Sequence, residues 1–157
     1  MLFYRSNAGA SKLPVGAARA LSLFTLAAYP AGALMLDFSD KSFPASIGGY
    51  ALILSALICA AALVKSSLQR IVAEQPRKLD EYELQLRSRA MNLSYGGFTA
   101  LALVAVIYAA IASDHGGWVP TNYDQFNGLF WGVFLYAVVM PVAVLSWMVD
   151  ESFETER

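Results

Sequence analysis

The chain has 157 residues but a single cysteine, Cys59, and a single histidine, His115. One cysteine excludes an internal disulfide and thiol-pair redox chemistry, and it leaves the redox compartment unread. One histidine excludes a bis-histidine haem and an H-E-x-x-H metal site. Charge is scarce as well: charged residues make up 15% of the chain, against about a quarter in ordinary soluble domains. The net charge of −1 offers no electrostatic footprint for nucleic acid.

What the chain does have is apolar residues, 57% of the total. They gather into runs free of Asp, Glu, Lys, Arg and His: Ala20–Leu36, Ile47–Val64, Gly96–Ala112 and Leu129–Val149. A helix needs about 20 apolar residues, within a range of roughly 17–25, to cross a bilayer core. In hydrocarbon every backbone amide must be paired within its own segment, so such runs are read as helices. Four buried helices of a soluble protein would leave almost nothing to face water.

Orientation follows from the basic residues. Arg5, Lys12 and Arg19 precede the first span, and Lys65, Arg70, Arg77, Lys78, Arg87 and Arg89 lie between spans two and three. The other two loops hold only Lys41 between them. The expectation is therefore both termini and the central loop in the cytoplasm. Trp131 and Trp147 are 16 residues apart in span four, roughly 24 Å along a helix, which suits anchors at opposite interfaces. A cleavable signal peptide is the rival reading of the first span, although the apolar run is long for one.

Residues 65–95 carry the only organised polar pattern. Leu68, Ile71, Val72 and Gln75 keep a helical spacing past Lys65, so span two is expected to continue as helix until Pro76 stops it. Asp80 can then cap a new helix, with Glu83 three residues on as in a capping box and Leu79 and Leu84 as a hydrophobic staple. Glu83 and Arg87 form an i,i+4 pair. Leu79, Tyr82, Leu86, Ala90 and Leu93 make one apolar stripe, which needs span two, the headgroups or a partner protein to cover it. With Arg87 and Arg89, the residues Leu79, Tyr82 and Leu86 form a candidate interaction face. Gly96 and Gly97 mark either a hinge into span three or a close-packing point.

The run Leu79-Asp80-Glu81-Tyr82-Glu83-Leu84-Gln85-Leu86-Arg87-Ser88-Arg89-Ala90 resembles the L-D-E-x-E-x-x-x-R-x-x-A segment of small bacterial inner-membrane proteins of unknown function. The resemblance covers about a dozen residues. It implies a multi-pass protein of a bacterial inner (cytoplasmic) membrane and carries no activity with it.

Proton-coupled pumps and small exporters depend on an intramembrane carboxylate. None of the four runs has one, and Asp37 and Asp150 fall just beyond span ends. His115, with Asp114 and Asp124, reads as part of a solvated outer loop rather than a metal site. Asp37 and Asp40 read as solvated or locally paired with Lys41, and Trp118, Tyr123 and Phe126 as interface anchors. Pro30 and Pro141 each remove a helix hydrogen bond and kink their spans; paired kinks can shape packing or open a cavity. Small residues four apart (Ala28 and Gly32, Ala56 and Ala60, Ala105 and Ala109, Gly128 and Gly132) let backbones approach. The acidic tail, Asp150, Glu151, Glu154 and Glu156, is expected to dock marginally on the basic central loop.

The expected fold is thus all-α: one integral membrane domain over residues 1–157, a four-helix transmembrane bundle, N-in/C-in, with a cytoplasmic helical hairpin over about 65–95 between spans two and three. No catalytic, cofactor or metal site is expected. A non-catalytic interaction, assembly or accessory subunit fits best, with membrane lipid and another membrane protein or a second copy as partners and no nucleic acid. The alternative is a passive binder or transporter of an apolar small molecule or lipid, using a cavity at the Pro30 and Pro141 kinks.

Overall fold

A computed structural model describes residues 13–38 and 43–149, apart from the Arg77 side chain. The described residues form α1 (Val15–Phe38), α2 (Phe43–Val64), α3 (Ser67–Ala73), a 3₁₀ turn (Pro76–Lys78), α4 (Glu81–His115) and α5 (Tyr123–Met148), with no strand among them. Four of these helices, α1, α2, α4 and α5, are long and apolar enough to cross a membrane. The architecture is that of a multi-pass membrane protein.

Helices α1 and α2 form the closest pair, and small residues allow it. A Cβ added to Gly32 would lie 2.8 Å from the carbonyl oxygen of Gly49, and one on Gly49 would lie 3.0 Å from that of Gly32. Ala28, Ala56 and Ala60 are buried along the two helices. Ala105 is exposed and Ala109 half-buried, so the equivalent spacing in α4 joins no such seam.

α5 lies beside α1 in antiparallel register and also meets α2, α3 and α4. The apolar core gathers near the end that carries α3, around Leu63, Ile71, Ala90, Val139 and Leu145. α4 packs on the far side of α5 and on α3, rather than on α1 or α2. The arrangement is open: α4 runs 35 residues, roughly 52 Å, and every residue from Ala100 to Tyr108 is exposed.

Two expectations about continuity are corrected. α2 does not run on to Pro76: it ends at Val64, and Ser66 caps a separate α3 by accepting from Gln69 N–H at 3.3 Å. Ser66 followed by Gln69 is itself a capping-box spacing, a signal that the apolar periodicity across Lys65 obscured. In the other direction, Gly96 and Gly97 are no hinge, because α4 is continuous through both. Gly97 is the close-packing point, with the Met140 methyl 3.2 Å from where its Cβ would stand.

His115 closes α4 instead of lying in a loop, and Gly116 follows at φ 67° as the left-handed cap. Such a conformation strains any residue with a Cβ.

Candidate functional site

The segment between α2 and α4 folds around a buried ionic cluster. The Arg70 guanidinium on α3 reaches Glu74 Oε2 at 3.1 Å and Glu83 Oε1 at 3.0 Å. Both acids are buried, Glu74 to 3% and Glu83 to 5% of full exposure. Arg87 donates to the Glu74 carbonyl at 2.6 Å, tying the second turn of α4 to the end of α3. Leu68, Ile71, Leu79 and Leu86 of the same segment are buried as well. A charge is retained in such surroundings only with a partner and hydrogen bonds. The cluster is thus a strut between α3 and α4, with no nucleophile placed against a base.

Asp80 caps α4 as its position predicts, accepting from Glu81 N–H at 2.6 Å. Glu83 behaves differently from a capping-box residue: its carboxylate turns to Arg70 on the neighbouring helix. The apolar stripe is rotated in consequence. The buried face of α4 reads Glu83, Leu86, Ala90 and Ser94, while Tyr82 is 54% and Leu93 59% exposed. The candidate interaction face therefore divides. Leu79 and Leu86 are buried, Arg87 holds a backbone carbonyl, and Tyr82 and Arg89 face outward.

The second polar construction joins α1 to α5. Pro30 has no N–H for the carbonyl of Leu26, four residues earlier. Tyr136 of α5 supplies the missing donor, its hydroxyl lying 2.5 Å from the Leu26 oxygen. This is the repair that lets a membrane helix carry a proline. One turn further along α1, the Tyr29 hydroxyl donates to the Gly128 carbonyl at 2.8 Å, and the Tyr29 ring covers Gly132. Gly128 and Gly132 thus act as a seat for one tyrosine. At the α3 end, Arg19 donates to the Ser146 carbonyl at 2.8 Å and the Val149 carbonyl at 3.0 Å, and its guanidinium lies 5.2 Å from the centre of the Trp147 ring. A cation there serves both the carbonyls that end α5 and the negative end of its dipole.

These contacts set the register of α1 against α5. Pro30 falls beside Gly132, whereas Pro141 lies nine residues further along α5, roughly 14 Å away in depth. The two prolines do not meet at one level, and the carbonyl freed at the first is occupied by Tyr136. At the opposite end Asp37 accepts from the Trp118 indole N–H and, at 2.5 Å, from Gln125 Nε2. Asp37 is thus a latch between α1 and the start of α5 rather than a solvated acid.

The roles of Arg19, Tyr136 and Asp37 escaped the sequence reading. Pro30 announces that the Leu26 carbonyl needs a donor, but nothing in the linear order says which helix brings it. The acidic tail, Asp40 and Lys41 lie outside the described residues.

Replacing Tyr136 by Phe is expected to cost about 1–2 kcal/mol by leaving a half-buried carbonyl unpaired. Adding Pro30→Ala to that variant should recover most of the loss, since residue 30 would again carry an N–H. Unfolding in mild detergent measures both, and a Tyr136→Phe protein as stable as the parent would show that the bond carries no weight.

Among the described residues no three His, Cys, Asp or Glu side chains gather as metal ligands would. Compared with protein-family models, with curated proteins and with solved structures, the chain matches none.

Proposed function

We propose that this chain is a non-catalytic subunit of a bacterial inner membrane, holding a complex together rather than transforming a substrate. The reading rests on α4. Its stretch from Ala100 to Tyr108 is exposed on all sides, while the polar groups described above are engaged in joining one helix to the next. A helix offered so fully to its surroundings suits association with another membrane protein or a second copy, with lipid filling the rest. The L-D-E-x-E-x-x-x-R-x-x-A resemblance of residues 79–90 supports a bacterial setting. The basic residues near α3 and their scarcity at the opposite end support a cytoplasmic position for both termini and for the α3 junction, the proposed cytoplasmic hairpin.

A photo-crosslinking residue at Val106 of α4, which is 66% exposed, is expected to yield a protein adduct of discrete mass in intact membranes. One at Ile58 of α2, 68% exposed, is expected to give lipid adducts alone. Lipid adducts alone at both positions would overturn the assembly reading. Orientation is checked separately. A reporter active only in the cytoplasm should be active when fused after Arg157 or Arg77 and silent after Trp118, and activity at Trp118 would reverse the topology.

A further inference from the structure

We infer that α4 carries a seat for one anionic phospholipid, with the headgroup phosphate on Arg89 and an acyl chain along Gly96 and Ala100. The inference needs only that the chain spans a membrane and stands apart from the assembly reading.

Depth comes first. Between Arg89 and Asp114 lie 24 residues without a charge, roughly 36 Å of helix. The hydrocarbon core takes about 30 Å of that, and the whole bilayer about 40–45 Å. Arg89 therefore falls in the headgroup layer. Trp147 marks the same level on α5, since Gly97 stands against Met140 and the helices run antiparallel. A helical side chain leans toward the N-terminus of its helix, which carries the Arg89 guanidinium away from the hydrocarbon and among the phosphates.

Charge comes second. The other arginine side chains described at this end are engaged by the protein: Arg19 by the carbonyls that end α5, Arg70 by Glu74 and Glu83, and Arg87 by the Glu74 carbonyl. Arg89 is exposed and makes no ion pair among the described residues. The acids of α4 leave it unopposed. Glu83 is buried and turned to Arg70, and Asp80 and Glu81 lie at the start of the helix, eight or nine residues away, roughly 12 Å further from the membrane. Among the described residues, what faces the headgroups on this flank is a single guanidinium with no acid beside it, suited to bidentate hydrogen bonding of a phosphate.

Shape comes third. Gly96 stands two turns above Arg89 on the same flank and Ala100 one turn beyond it. A Cβ on Gly96 would meet nothing within 4 Å. The helix is therefore notched directly above the cation, and an acyl chain can lie against bare backbone there.

Native mass spectrometry of the full chain tests the seat, with phosphatidylglycerol and phosphatidylcholine supplied together in mild detergent. The parent is expected to retain phosphatidylglycerol preferentially. Arg89→Gln should lower that preference by roughly fivefold, the factor one basic residue contributes at a membrane surface, and Arg89→Lys should keep most of it. Gly96→Leu should weaken retention of both lipids alike by filling the notch. An unchanged preference in Arg89→Gln would overturn the headgroup assignment, and unchanged retention in Gly96→Leu would overturn the acyl-chain assignment. A disulfide-linked dimer of Ala100→Cys in a Cys59→Ala background would put a second copy on this flank in place of lipid, and would likewise overturn the proposal.

Discussion

Arg70→Ala is expected to destabilise the protein by about 3–5 kcal/mol, the usual consequence of removing one member of a buried ionic group. The substitution takes away the guanidinium that Glu74 and Glu83 share, and both carboxylates are almost wholly buried. It also frees α3, a helix of seven residues, which is too short to persist without tertiary support. Adding Glu83→Gln to Arg70→Ala should recover part of the loss, because an amide tolerates that environment better than an ionised acid. Thermal unfolding in detergent gives both values. A loss below about 1 kcal/mol for Arg70→Ala would place the cluster among ordinary surface pairs, which are worth about that or less.

The second large effect is expected at the crossing of α1 and α2. In Gly32→Val the new Cβ would stand 2.8 Å from the Gly49 carbonyl oxygen, 2.9 Å from Ile53 Cγ1 and 3.1 Å from Leu52 Cβ. Backbone and Cβ atoms cannot swing aside, so the helices must separate or shift along each other. Overpacking of this kind costs about 1–3 kcal/mol, and sometimes more. Gly96→Val provides the control: it adds the same atoms to a helical glycine whose Cβ direction is empty. Equal stability of the two variants would mean that α1 and α2 do not cross through glycine.

Much of this architecture was legible in the linear sequence, and the physical reason is solvent. A bilayer forbids charge and unpaired backbone over a fixed thickness, so helices that cross it appear as charge-free runs. Each of the four runs falls within or nearly within one long helix, although α1 begins earlier than its run, at Val15, and α5 begins at Tyr123. Caps were readable at Asp80, where the residue type and the following acids agree with a helix start. The choice of partner was not. Glu83 had Arg87 one turn away in sequence, yet its carboxylate bonds Arg70 across a chain reversal. Tyr136 and Asp37 likewise find partners 110 and 81 residues away, as tertiary register dictates. Small residues meet a close approach within the chain at Gly32 but not at Ala105, because the spacing does not say whether the packing partner is internal.

The unbroken course of α4 has a mechanical meaning. Its first four turns are clamped by α3 and α5, and the Gly97 to Met140 contact is the last firm support before the helix projects through the exposed stretch above it. It is in effect a beam with one support at Gly97 and the next at Ala112, which is buried. The 14 residues between those two supports span roughly 22 Å. Beyond the far support, Trp118 bonds Asp37 and stands against Phe38, which ties the end of α4 to the end of α1. The exposed stretch is therefore the length over which α4 bends most easily, and both of its ends are held.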